Sequence, residues 1–202
     1  MCNHFCRRSD CPDTRQKKTS GSNHHGRGIG IMKINVFPRS YFAARTGTPE
    51  EKELLRTHRI ISLNSSSGST AMPPFSNLHE SNLLCLTVDD IVWTIRGMVL
   101  FNMEHAQKIW NFVENNQLPL MIHCNAGISR SGAVGEVLNW YFNSHIQQNP
   151  EDFQTFYSVH PQIVPNSHIK TVLFRYLEEK SGLSAGTLLR RLDVEKEKYR
   201  SI

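Results

Sequence analysis

The residues in this chain best placed to do chemistry lie within "HCNAGISRS", residues 123–131, where Cys124 and Arg130 are separated by five residues. Three apolar residues, Leu120, Met121 and Ile122, run into His123 and Cys124 as a short buried strand would. Beyond the loop, Ala133, Val134, Val137, Leu138 and Tyr141 recur at helical spacing. The segment therefore reads as strand, tight loop and helix, with a thiol opening the loop and a guanidinium closing it. Gly127 allows the backbone close approach to a ligand. A helix N-terminus presents unpaired N–H groups and a positive dipole end, so the loop of Asn125, Ala126, Gly127, Ile128 and Ser129 is suited to an anion. The same field favours a thiolate, and such settings bring a cysteine pKa from about 8.5 down to between roughly 3.5 and 7.5. Arg130 adds a planar fork for two oxygens of a tetrahedral oxyanion. A nucleophile under an oxyanion cradle suits phosphoryl transfer through a cysteinyl-phosphate.

That reaction needs an acid for the departing oxygen and then a base for water. "LTVDDI" offers Asp89 and Asp90 at the end of a strand, where a parallel sheet delivers site residues. Asp90, two residues past an inward Val88, is placed ahead of Asp89, and both also read as carboxylates that solvate a loop. Ser131 is positioned either to reach the Cys124 sulfur and ease its departure or to cap the helix. His123 is expected to brace the loop through hydrogen bonds.

The elements that must hold these groups alternate. Strands are expected over 31–37, 59–64, 83–88 and 118–123. Helices are expected over 48–57 with Thr48 as cap and Pro49 at its first position, 103–116 capped by Asn102, 130–147, and 164–179 capped by Asn166. The charged stretch "LLRRLDVEKEKYRSI" reads as a peripheral helix or tail. The alternation implies an α/β fold around a mostly parallel central sheet flanked by helices. Trp93, Trp110 and Trp140 read as packing residues.

With 202 residues the chain is long enough for one domain with a buried core. It is expected to divide into a disordered Cys/His/basic leader (1–30), a catalytic domain (31–180) and a charged C-terminal helix or tail (181–202). The leader holds six basic and two acidic residues, so +4 of the net +5 resides there and the remainder is nearly neutral. Nucleic-acid affinity is arguable only from that leader. Its Cys2, Cys6 and Cys11 with His4, His24 and His25 invite zinc, but their spacing lacks the paired Cys-x2-Cys of structural sites. No apolar run approaches a membrane span and the N-terminus lacks a secretory core. An odd count of five cysteines, three of them in the first eleven residues, suits a reducing, intracellular (cytoplasmic) setting. The remaining histidines lack acidic partners at ligand spacing, so neither a two-metal site nor another cofactor is expected. Oligomeric state is not legible.

"HCNAGISRS" resembles the His-Cys-x-x-Gly-x-x-Arg-Ser loop of cysteine-dependent protein phosphatases, and "VPNSHIKTVLFRYLEE" resembles the final helix of the compact dual-specificity members, similar to small bacterial and phage forms. The resemblance implies Cys124 as nucleophile, Arg130 as phosphate clamp, Asp90 as acid and base, Ser131 as helper of the leaving thiolate, and the 125–129 backbone as cradle. It implies a phosphorylated protein or peptide as substrate, with phosphotyrosine and phosphoserine/threonine alike admitted to a shallow pocket. The acid loop departs from the family in having no Trp-Pro-Asp. RNA 5′-triphosphate, a phosphoinositide or a small molecule are the alternative substrates on the same loop; rhodanese-like sulfur transfer and a non-catalytic phosphopeptide module are the rivals. Cys85, on the third strand, is a candidate to trap oxidised Cys124 as a disulfide, or a small buried hydrophobe.

Overall fold

The computed structural model describes residues 31–66 and 81–200; the leader with its zinc candidates lies outside them, as do most of the loop after the second strand and residues 201–202. Four strands, β1 (Ile34–Pro38), β2 (Arg59–Asn64), β3 (Leu83–Thr87) and β4 (Leu120–Cys124), form one all-parallel sheet in the order β1-β4-β2-β3. Every residue of β4 is buried, as a parallel strand covered on both faces requires. All four strands therefore end on the same edge, and the loops leaving them converge around Cys124.

The helices divide between the faces. On one side, α1 (Arg39–Ala43) and α2 (Pro49–Thr57) close a small core of Phe42, Leu55, Ile60 and Met121. On the other, α3 (Met103–Val113), α4 (Arg130–Asn139), α5 (Pro150–Val159), α6 (Ser167–Ser181) and α7 (Thr187–Arg200) build the main core with Val36, Ile61, Leu63 and Ile122. Helix α4 is buried around its whole circumference. Gly135 makes that possible: a Cβ there would sit 2.7 Å from Val36 Cγ2 and 3.1 Å from the Phe156 ring.

Asn102 caps α3 as its sequence implies, accepting from His105 N–H while the His105 ring accepts from the Asn102 N–H. Asn166 caps α6 through Ile169 N–H. Thr48 precedes α2, but its hydroxyl donates backwards to Arg45 O at 2.7 Å instead of capping.

Four segments differ from their sequence expectation. The helix expected over 130–147 is α-helical only to Asn139 and continues as a π-helix over Trp140–Ile146. The wider turn brings Asn143 and Ser144 inward together: Asn143 pairs with both the N–H and C=O of Met32, and Ser144 donates to Glu195. Helices α1 and α5 have no counterpart among the sequence expectations. The C-terminal stretch is not peripheral, because Leu188 and Leu192 are fully buried in the main core. Buried Glu178 accepts from the Gly186 and Leu188 N–H groups at the start of α7, and buried Glu136 on α4 pairs with Lys196 of α7 and Lys170 of α6. No described helix is long and apolar enough to cross a membrane.

Candidate active site

A cavity of about 510 Å³ opens at the C-terminal edge of the sheet, lined by Ser65, Asp89, Asp90, Met98, Cys124, Asn125, Ala126, Ile128, Ser129 and Arg130. Its floor is the loop between β4 and α4. The loop's carbonyls are turned outward and held: Asn125 O accepts from Arg39 N–H (3.1 Å), Ile128 O from Val164 N–H (3.2 Å), and Ser129 O from Asn166 N–H (3.2 Å) and Ala133 N–H (2.9 Å). In a planar trans peptide the N–H points opposite to the C=O, so these bonds aim the N–H groups of Ala126, Ser129 and Arg130 toward the cavity. Gly127 is required where it stands. Its φ is +71°, and a Cβ would lie 2.6 Å from Phe37 C and Pro38 N. The loop thus turns directly against the end of β1.

Cys124 is 2% exposed, with Sγ 3.1 Å from Ser131 Oγ. Burial pushes its thiol pKa up, but the Ser131 hydroxyl, the main-chain N–H groups of Ser131 and Ile128 and the Arg130 charge outweigh it, and the net shift is downward. Ser131 thus faces the sulfur and does not act as a cap. The residue at the cap position is Ser129, and its hydroxyl does not cap either: it donates to Asp90 Oδ1 at 2.7 Å. The first turn of α4 consequently keeps its N–H groups for an anion.

Arg130 is buried, and its Nη1 is anchored by Val88 O (2.7 Å) and Ser65 Oγ (3.0 Å). Its Nε is buried without an acceptor. A buried guanidinium donor without a partner beside a cavity marks where an oxyanion fits.

The two aspartates separate sharply. Asp89 is 1% exposed and fully engaged, accepting from Ser66 N–H (2.9 Å), the Ser66 hydroxyl and Val99 N–H (2.7 Å). Burial raises its carboxyl pKa, but those hydrogen bonds and Arg130 more than offset this and hold it below the usual range. It pins both ends of the loop 90–98. Asp90 is exposed, and both of its bonds, from Ser129 Oγ and from Asn166 Nδ2 (2.9 Å), fall on Oδ1. The residue itself lines the cavity.

His123 does not brace the loop by hydrogen bonds. It is 1% exposed, neither ring nitrogen has a partner in hydrogen-bond geometry, and the ring stacks on Phe42 at 4.4 Å. Burial first, then the charges of Arg39 and Arg130, lower its pKa to about 4; the nearby Cys124 backbone only partly opposes them. Its side chain points to the α1 face because residues alternate along β4.

The same alternation removes the disulfide candidate. Cys85 pairs with Ser62, which pairs with His123, so Cys85 shares the face of His123, opposite to Cys124. The two strand spacings between Cys85 and β4 amount to about 9.6 Å, beyond the roughly 7 Å Cα limit for a disulfide. Cys85 is also exposed, not a buried hydrophobe. The residues that the sequence missed are Ser65, Ser66, Met98 and Asn166; only Asn166 carried a signal, and that as a helix cap.

No family model matches the chain, and no curated protein matches it. In layout the chain resembles phosphatase-like solved structures. One is the human tyrosine phosphatase-like serine/threonine/tyrosine-interacting protein, with 17% identity over 73% of this chain and 92% of the other, TM-score 0.49. A second is human DUSP28, with 19% identity over 75% and 95%, TM-score 0.47. A third is the Cydia pomonella PTP-2 phosphatase, with 20% identity over 70% and 83%, TM-score 0.44.

Proposed function

We propose that the protein hydrolyses phosphate monoesters on protein side chains, phosphotyrosine and also phosphoserine/threonine, through a cysteinyl-phosphate. The observation that carries this reading is the pairing of a thiol whose pKa is lowered with the buried, acceptor-less Nε of Arg130 across one cradle. In the first step the Cys124 sulfur forms a bond to phosphorus as the ester P–O bond breaks. The departing oxygen takes a proton from Asp90, which lines the cavity. The equatorial oxygens rest on the N–H groups of Ala126, Ser129 and Arg130 and on the Arg130 guanidinium. In the second step Asp90, now ionised, removes a proton from water, water oxygen bonds to phosphorus, and the S–P bond breaks. Ser131 Oγ, 3.1 Å from the sulfur, stabilises the thiolate that leaves. Asp89 serves by holding the loop that carries Asp90.

Hydrolysis of an aryl phosphate is expected to persist in EDTA, stop with vanadate and vanish in Cys124→Ser. A side-by-side panel of phosphotyrosine peptide, phosphoserine peptide, phosphoinositide and 5′-triphosphorylated RNA separates the substrates. Turnover of the RNA or the phosphoinositide with none of the peptides would overturn the protein-directed reading, and full activity in Cys124→Ser would overturn the mechanism.

A further inference from the structure

Trp93 is where packing fails as an account of a tryptophan. Trp140 is 1% exposed and Trp110 packs on Tyr141 and Phe142, whereas Trp93 is 67% exposed. Large apolar side chains prefer burial, and clusters of exposed ones mark contact surfaces. Seven large apolar residues are exposed among the described residues, and three of them, Val92, Trp93 and Val164, stand on two loops that meet at the cavity's edge.

The meeting point is Asn166. Its Nδ2 donates to Asp90 Oδ1 and to Ile91 O, immediately before Val92 and Trp93. Two residues before Asn166, Val164 is fixed to the cradle through Ile128 O. The arc that presents Trp93 is closed at its base by the Asp89 N–H to Val99 O bond (2.8 Å), and it lines the cavity at both stems, with Asp90 and Met98. The charge around this mouth is also informative. The cavity wall holds one cation, Arg130, against two carboxylates, Asp89 and Asp90, with Arg96 exposed on the arc outside it, so one phosphate is matched within the wall and a second there would meet like charge.

We propose that Val92, Trp93 and Val164 form an apolar rim that receives an apolar side chain flanking the phosphorylated residue of a protein substrate. This rests on the phosphatase reading and names its substrate class: a phosphoprotein segment with a large apolar neighbour, not a polyanionic nucleic acid or inositol headgroup. The rim and the cradle then act together, the cradle fixing the ester and the rim fixing the chain that carries it.

The test is equilibrium binding to full-length Cys124→Ser of matched peptides, phosphorylated and not, carrying either leucine or serine two and three residues from the modified position. The phosphorylated leucine peptide is expected to bind about tenfold tighter than the phosphorylated serine peptide, a margin typical of one well-buried aromatic contact. Adding Trp93→Ala should bring that ratio to within about twofold, while Trp93→Phe, which keeps an apolar ring, should retain most of it. Val194→Ser, at an exposed apolar position on α7, should leave the ratio as it is. Loss of phosphate dependence would fail the phosphatase reading itself. Phosphate dependence without a leucine preference, a preference that survives Trp93→Ala, or displacement of the peptide by 5′-triphosphorylated RNA or phosphoinositide vesicles at lower concentration would overturn the rim.

Discussion

Ser131→Ala tests the electrostatics of the site with one oxygen atom. The hydroxyl lies 3.1 Å from Cys124 Sγ, with both groups buried, and it is the largest influence lowering the thiol pKa. A hydrogen bond to a charged group contributes about 1.5–3 kcal/mol. At about 1.36 kcal/mol per pKa unit, its removal should raise the Cys124 pKa by about one to two units. The main-chain N–H groups of Ser131 and Ile128 and the Arg130 charge remain, so the thiol should still titrate below an ordinary cysteine in comparable burial. The measurement is the pH dependence of alkylation by a small haloacetamide, followed with thiolate absorbance. In the variant the inflection should move up by that amount. Phosphatase turnover should fall about tenfold or more with a burst of leaving group, because the sulfur is the leaving atom of the second step. An inflection that does not move would show that the hydroxyl does not stabilise the anion, and turnover lost without a burst would place the defect before the cysteinyl-phosphate.

Asp90→Asn should lower kcat by about 10²- to 10⁴-fold with vanadate affinity retained, whereas Asp89→Asn should chiefly lower stability, because it weakens one hydrogen bond that closes the loop 90–98, from Val99, and two from Ser66 that tie it to the loop after β2; the reverse pattern in kinetics and thermal melts would reassign the acid. Gly127→Ala puts a Cβ 2.6 Å from main-chain atoms at φ +71°, so Tm should fall by several degrees and vanadate affinity by at least tenfold, whereas Gly97→Ala, at φ +82° with nothing within 4 Å, should cost only the conformational ~1–2 kcal/mol. His123, with its pKa lowered to about 4, binds fewer protons folded than unfolded, so stability should be highest above pH 6.5 and fall by about 3 kcal/mol as pH drops toward 4, levelling off below. Denaturant titrations of His123→Gln should lack that increment of acid sensitivity; an unchanged pH profile would mean the ring is not buried neutral.

The sequence made some of this legible because local signals and tertiary demands coincide there. Leu120–Ile122 form a fully buried parallel strand because nothing in them can face water, and Gly127 is the one residue type that tolerates φ +71° against the end of β1. The caps at Asn102 and Asn166 are local side-chain bonds, so spacing alone reveals them. Other features depend on long-range packing. Helix α5 has Pro150 at its first position and Glu151 and Asp152 in its first turn, yet Phe153 and Phe156 only become a core face once α4 offers Gly135 to receive Phe156. The π-helix has no local code: Asn143 turns inward because Met32, 111 residues away, needs two partners. The many charges of α7 conceal Leu188 and Leu192, whose burial depends on Glu178 satisfying the helix start. His123 directly precedes Cys124 in the sequence, and only the strand alternation and Phe42 show that it faces away.

Asn166 shows why the cradle and the later "VPN" segment belong to one device. Its Oδ1 accepts from Ile169 N–H and starts α6; its Nδ2 holds Asp90 and Ile91; its own N–H fixes the Ser129 carbonyl outward. A side-chain amide has both donor and acceptor ends, and here each is used on a different element. An aspartate would cap α6 equally well but would turn an anion toward Asp90, and a serine would be too short to reach both loops. Capping propensity alone therefore leaves several residues open at this position, while the need to hold the acid, the cradle and the helix at once leaves asparagine. Asp90 on one loop and the cradle of another are kept in register by a residue that makes no hydrogen bond to the Cys124 sulfur.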